Sequence, residues 1–241
     1  QRSQKQNAET ERMVALGYLV AGVAHEISNP LTGMKNCCLF LKKDGLSEEK
    51  RLEYLDIMEE GLERIENTVG QLLEFGRPQS LKEEEIDLGD LIRRTERLVE
   101  ASLRKKMLSL HVDLKVAEKR VLYGDRQKLM QAMLNLVLNA AYYSPPKGEL
   151  KIRCIEEKRG GWYWIGISVE DDGPGVPKEH QTHIKAPFFT TKPVGEGTGL
   201  GLSVTRTIAA AHGGELSFDF GKDTGLIATI WLPEHEDRSE T

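Results

Sequence analysis

The chain has 241 residues, with 33 Lys and Arg against 38 Asp and Glu, a formal net charge of −5 and 39% hydrophobic residues. That length suits one or two domains, and mixed, nearly balanced charge without a basic run or stripe argues against nucleic acid as a partner. No apolar run reaches the roughly 18 residues of a membrane span, so no membrane contact is expected of this piece. Cys37, Cys38 and Cys154 form neither a metal spacing nor an even disulfide set; they fit packing roles in a reducing, cytoplasmic compartment. The chain opens at Gln1 without a signal-peptide pattern and reads as a fragment. An upstream sensor segment is expected in the full-length protein, which is left open to membrane anchoring.

Residues 1–77 are expected to form a helical hairpin. Met13, Leu16, Val20, Val23, Ile27, Met34 and Leu41 follow heptad steps with one break at Pro30, and Leu55, Met58, Leu62, Ile65, Val69 and Leu72 form a second seam. Between them Lys43 to Glu48 reads as a turn, with Ser47 as N-cap. One such hairpin buries little alone, so two copies are expected to pair into a four-helix bundle, a homodimer. The alternative is a hairpin packed on its own second domain. With Val20 and Val23 at a and d, His25 falls at f, facing away from the seam. An exposed neutral imidazole there is either an available nucleophile or a solvated surface histidine. A zinc HExxH reading fails, because Asn29 stands where the second histidine is needed.

Phe75 to Gln79 breaks the periodicity, placing a linker at 78–84, a second domain at 85–234 and a tail at 235–241. In that domain Asp90 to Leu103 reads helical, Leu108 to Leu114 alternates like a strand, and Asp125 caps a helix to about Tyr143. Two alternating segments, 150–154 and 163–169, are joined by a turn at Arg159-Gly160-Gly161. Leu202 to Ala211 reads as a helix ended by Gly213, and strands Leu216 to Phe220 and Leu226 to Leu232 flank the Gly221 to Gly225 turn. The expected fold is multidomain: the all-α hairpin, then an α/β sandwich with a mixed sheet and its helices on one face.

Three features of the second domain carry chemistry. Gln131, Asn135, Asn139 and Tyr143 lie four apart in one helical stripe. Asn is a poor helix former, so this stripe is either a metal–phosphate site, with amide oxygens on Mg²⁺, or a solvated polar face. Asp171 ends a half-apolar strand before Gly173 and Gly175, where it is either an acceptor for an exocyclic amine such as adenine's or part of an ordinary Asp-Gly turn. Gly195 to Gly201 runs into the 202–211 helix, and a glycine-rich loop feeding a helix N-terminus suits a phosphate. No GxxxxGK[ST] occurs and no GxGxxG follows a strand, so neither a P-loop nor a dinucleotide fingerprint is present.

Taken in order, Asn135…Asn139, Asp171-x-Gly173-x-Gly175, Phe188-Phe189-Thr190-Thr191-Lys192 and Gly197-Thr198-Gly199-Leu200-Gly201 closely resemble the N, G1, F and G2 boxes of the sensor histidine kinases of two-component systems. Ala24-His25-Glu26-Ile27-Ser28-Asn29-Pro30-Leu31 resembles their H box, in its nitrogen-regulator and oxygen-sensor wording. The resemblance runs from about residue 8 to 233. It implies a Bergerat (GHKL) ATPase fold for the sandwich, and ATP with Mg²⁺ as nucleotide and cofactor. It implies autophosphorylation of His25, oriented by Glu26, and transfer to an aspartate of a response regulator receiver domain, with Asn29 serving removal of that phosphate. It also implies Asn139 on Mg²⁺ with Asn135 assisting, Asp171 on the adenine amine beside Gly173 and Gly175, Tyr143 over the ring, and Lys192, Thr198, Gly199, Leu200 and Gly201 toward the phosphates. Residues 176–197 would be a mobile lid. Tyr142 and Lys185 depart from the family pattern, which more often has a basic residue and an aromatic residue there. The alternatives are a GHKL-type ATPase and a dimeric nucleotide-switched scaffold without kinase activity.

Overall fold

The structure is a computed structural model that describes residues 27–43, 45–76, 81–117, 120–187, 189–193, 199–221 and 225–234, the side chains of 67, 68 and 71–76 excepted. It divides into two compact units, Gln1–Pro78 with Ala186–Leu200, and Gln79–Lys185 with Gly201–Thr241.

In the first unit α1 (27–41) and α2 (Glu48–Gly76) form an antiparallel pair. Gly45 turns the chain at φ +82°, and the Ser47 hydroxyl accepts the Lys50 N–H at 3.4 Å. Glu48 and Glu49 in the first turn of α2 complement its dipole. Met34 lies over Gly61, where an added Cβ would come 2.9 Å from its Cγ. The Cys38 thiol donates to the Met58 thioether at 3.9 Å, and Phe40 stacks on Tyr54 at 5.4 Å. Cys37 is buried. The helix continues across Pro30, where the heptad spacing breaks; the residue that would lose its acceptor role, 26, lies outside the described residues. The α2 seam divides in two. Met58, Ile65 and Val69 are half-buried, while Leu55 and Leu62 stay 50% and 52% exposed.

The second unit is built on a five-stranded sheet, in the order β2 (Ser109–Asp113), β4 (Glu149–Arg159), β5 (Trp162–Asp171), β7 (Leu226–Pro233) and β6 (Glu215–Phe220). β2 pairs parallel to β4, and the other neighbours are antiparallel. Side chains alternate across a strand, so Leu150, Ile152 and Cys154 share a face with Ile165, Ile167 and Val169, and with Ala228, Ile230 and Leu232; all nine are buried. This is the face covered by α3 (Leu88–Lys105), α4 (Arg126–Tyr143) and α6 (Gly201–Ala211). α4 contributes Leu129, Ala132, Met133, Leu136, Val137, Ala140 and Ala141 to this core. A small sheet of β1 (Glu84–Asp87) and β3 (Val121–Gly124), and the short α5 (Lys178–Gln181), complete the unit.

The helix ends that frame the site are fixed by specific bonds. Asp125 caps α4 by accepting the Lys128 N–H at 3.1 Å. At the other end the Lys106 ammonium donates to the carbonyls of Ala141 (3.0 Å), Tyr142 (2.5 Å) and Ser144 (2.9 Å), a cation where the helix dipole is negative. α6 closes with Gly213 at φ +72° and the Gly214 N–H on Ala209 O at 2.8 Å, a Schellman pattern.

Candidate functional site

The adenine-type acceptor of the sequence is a buried carboxylate. Asp171 ends β5 opposite Leu150 and is 9% exposed. Its Oδ1 accepts the Gly173 N–H at 2.9 Å. Burial pushes this carboxyl above its ordinary value, Asp172 and Glu170 add in the same direction, and the N–H groups of Gly173 and Leu226 oppose them. A poorly hydrated acceptor of this kind favours a donor that comes in dry. Gly173 leaves room here, since a Cβ would come 2.9 Å from both Asp171 Oδ1 and Tyr143 O. Gly175 has φ +72°, which only glycine adopts freely. Gly225, from the β6–β7 turn, closes the loop. Its N–H donates to Gly173 O at 2.7 Å, and a side chain on it would collide with the Asp171 carbonyl. Local composition marks Gly225 as a hairpin-turn glycine; its contact with a loop some fifty positions upstream leaves no trace there.

The second cluster surrounds the start of α6. The Asn135 amide nitrogen donates to Gly201 O at 3.2 Å, and a Cβ on Gly201 would lie 3.6 Å from Asn139 Nδ2 and 3.8 Å from Asn135 Cγ. The stripe from 135 to 139 therefore faces the N-terminal turn of α6 and is half-buried or exposed only at its margin. Asn135 is a tie between helices, not a solvated side chain. Spending its N–H₂ on a carbonyl leaves oxygen as the remaining donor atom, which suits Mg²⁺ held together with phosphate oxygens. Among the described residues no group of three or more His, Cys, Asp or Glu is placed to hold a metal. Tyr143 stands one turn beyond Asn139, 37% exposed, its ring edge-on to Tyr142 at 5.0 Å and 77°.

The structure thus brings Asn135, Asn139 and Gly201 together, and Tyr143, Asp171, Gly173, Gly175 and Gly225 together, along one helix. Asn29 is half-buried within α1. Lys192 is half-buried, and its N–H donates to Thr190 Oγ1 at 3.1 Å. Gly199 has φ +63° and Leu200 is fully buried. His25, Glu26 and Thr198 lie outside the described residues. Lys185, which departs from the family pattern, places its ammonium 5.5 Å from the Phe218 ring, so a cation–π contact stands where aromatic packing is expected.

Two family descriptions match the chain: the His Kinase A (phospho-acceptor) domain over residues 15–81, and the histidine kinase-, DNA gyrase B- and HSP90-like ATPase over residues 124–236. The sensor histidine kinase ZraS of Salmonella typhimurium is 33% identical over 223 residues, 92% of this chain and 47% of the relative. The chain spans about half the length of the curated relatives it matches most strongly. Among solved structures, histidine kinase ThkA in complex with response regulator protein TrrA matches with a TM-score of 0.78 and 30% identity, over 97% of this chain and 66% of that one. The isolated catalytic domain of ThkA matches with a TM-score of 0.53 and 31% identity, over 64% of this chain and 98% of that one. No described helix is long and apolar enough to cross a membrane.

Proposed function

Because the chain belongs to the sensor histidine kinases of two-component systems, we propose that it transfers the γ-phosphoryl group of ATP to His25 and then to an aspartate of a response regulator receiver domain. The observation that carries this reading is the pairing of a buried acceptor, Asp171, with an amide pair, Asn135 and Asn139, set beside the first turn of α6. Asp171 accepts from the adenine amine, with Gly173, Gly175 and Gly225 letting the ring approach backbone and Tyr143 covering it. Asn139 and Asn135 hold Mg²⁺, which neutralises phosphate charge when bound. Lys192, Thr198, Gly199, Leu200 and Gly201 serve the phosphates, and residues 176–197 act as a lid. A ring nitrogen of His25 forms a bond to the γ-phosphorus as the bond to the β–γ bridging oxygen breaks, and ADP leaves. Glu26 accepts from the other ring nitrogen and stabilises the charge that develops there. Such a transfer asks mainly for positioning and charge stabilisation.

The assignment covers residues 1–77 as the dimerising phosphotransfer hairpin, 78–84 as linker, 85–234 as the ATP domain and 235–241 as tail. The exposed Leu55 and Leu62 support a homodimer, and the need for ATP supports a cytoplasmic location for both domains, downstream of a sensor segment. The chain is incubated with γ-labelled ATP and Mg²⁺ and then split between acid and base. Label lost in acid and kept in base is phosphohistidine. Phosphate released to water with no labelled protein would make this a GHKL-type ATPase, and nucleotide binding with neither would make it a switched scaffold.

Removal of the regulator's phosphate is a second activity of the same hairpin. α1 runs on from Asn29 through Pro30 to residue 41, so Asn29 is not a terminal cap in the described helix, which supports a chemical role for its amide. Asn29→Ala should slow regulator dephosphorylation about tenfold or more, roughly 1.4 kcal/mol of barrier, and lower His25 labelling less.

A further inference from the structure

Asp125 does more than cap α4. Its Oδ1 accepts the Lys128 N–H at 3.1 Å, and its Oδ2 accepts the backbone N–H of Lys82 at 3.2 Å. Its own N–H donates to Nε2 of His212 at 2.9 Å. Burial pushes the Asp125 carboxyl up, but the N–H groups of Lys128 and Lys82 and the Lys128 charge outweigh it and hold the group below its ordinary value. His212 is 8% exposed, and its Nδ1 lies 2.8 Å from Ile208 O. A carbonyl only accepts, so Nδ1 carries the hydrogen and Nε2 is the lone-pair acceptor for Asp125. The ring takes the space beside Gly124, where a Cβ would come within 2.8 Å of Nε2. An apolar residue would fill that space without the cost of burying two polar nitrogens. A histidine bonded at both nitrogens also fixes a direction.

The bonds form a chain: from the segment before β1, through Lys82, to Asp125 at the start of α4, to His212 at the end of α6. The same two helices are tied again at Asn135 and Gly201, 3.2 Å apart beside the nucleotide cleft. Ten residues separate Asp125 from Asn135, about 15 Å of helix. α6 is therefore pinned at both of its ends, to the start and the middle of α4, and one of the pins also holds the segment that follows the hairpin in the chain. We infer that Asp125 and His212 are positioning residues that couple the segment around Lys82 to the nucleotide cleft, so that pulling on this segment alters the seating of α6 against Asn135 and Asn139. The inference rests on the reading of that cleft as the ATP site. Coupling is reciprocal: nucleotide must tighten the Lys82 tether by the factor by which the tether tightens nucleotide.

The test uses the full chain with a non-hydrolysable ATP analogue and Mg²⁺. Saturation should slow exchange of the Lys82 amide about fivefold or more. Lys82→Pro, which deletes the donor N–H on the surface, should weaken analogue binding by the same factor, and so should His212→Ala. The double variant should be no weaker than either single one, because both cut the same chain. His212→Gln, whose amide oxygen reaches where Nε2 stands, should recover most of the affinity. Analogue-independent exchange at Lys82, unchanged affinity in Lys82→Pro, or losses that multiply in the double variant would each overturn the coupling; the first two hold even if His212→Ala does not fold. Failure of the wild-type chain to bind the analogue at all would instead overturn the ATP reading.

Discussion

The hairpin and the sandwich use hydrophobic residues in opposite ways. α4 places Leu129, Met133, Leu136 and Val137 at 2% exposure or less, sealed between the sheet and two helices. α2 is longer, 29 residues, yet leaves Leu52, Leu55, Ile57 and Leu62 between 42% and 57% exposed. The sandwich completes its core within one chain. Among its described residues the hairpin turns Met34, Cys38 and Met58 inward on itself and leaves other apolar positions, Leu55 and Leu62 among them, outward. Under the proposed function a second helical pair covers this surface, giving a symmetric dimer a self-complementary face. Under the proposed function the division is also chemical, with the acceptor on the hairpin and nucleotide recognition on the sandwich.

The largest effect should come from removing the acceptor. His25→Gln is expected to bring phosphate labelling to background while nucleotide affinity, measured by calorimetry, stays within about twofold, since an f position reaches no core. A parallel loss of affinity would end the division between the two regions.

Next is the outward stripe of the hairpin. Leu55→Asp with Leu62→Asp should turn a dimer into a monomer by sedimentation, because two unpaired carboxylates per chain would be buried at several kcal/mol each. The sandwich should keep its melting transition and its nucleotide. A dimer that survives both charges would place the contact on another face.

A cut in the sandwich core should do the reverse. Met133 is fully buried, so Met133→Ala should cost about 2–5 kcal/mol, read as earlier melting of the sandwich with the helical dimer retained by sedimentation. Equal loss of dimer and sandwich would mean the two regions do not stand apart in stability.

Much of this was legible before the structure, for a physical reason in each case. Alternation marks β2, β4 and β5, where large apolar residues recur at every second position, and the Gly221 to Gly225 turn marks β6 and β7 on either side of it. β1 and β3 escape notice: each has four residues, and only Ile86 in one and Leu122 and Gly124 in the other turn inward, too few to make a period. The strands also outrun the pattern, because Glu156 to Arg159 is polar and is held extended by pairing with Trp162 to Ile165. Heptads gave one seam in α2 where the packing has two, since spacing does not say which neighbour a position faces. In the site, Asp171, Gly173 and the Asn stripe stand out by residue type. Gly225 and His212 do not, because their partners, Asp171 and Asp125, are distant in sequence and a contact of that range has no local signature.

The smallest effect, and the sharpest test of the sandwich's side of the division, is a pH dependence. Asp171 must be ionised to accept fully from an amine, and burial raises it above its ordinary value of 3.8. Nucleotide affinity should therefore decline as pH falls through that raised value, earlier than for an exposed aspartate. Asp171→Asn should bind more weakly at neutral pH by about 1.5–3 kcal/mol, the worth of a charged hydrogen bond, and should lose the acid decline. Stability runs the other way. A carboxyl raised in the folded state binds its proton more tightly folded than unfolded, so ionised Asp171 costs stability near neutrality and this cost vanishes on acidification. Asp125, held below its ordinary value, contributes stability that is present above the unfolded pKa and lost as pH falls through the lower folded one. Acid titration should thus release nucleotide first, from a sandwich still folded by circular dichroism, and unfold it only at lower pH. Affinity that fell only in step with unfolding would remove Asp171 from the adenine site.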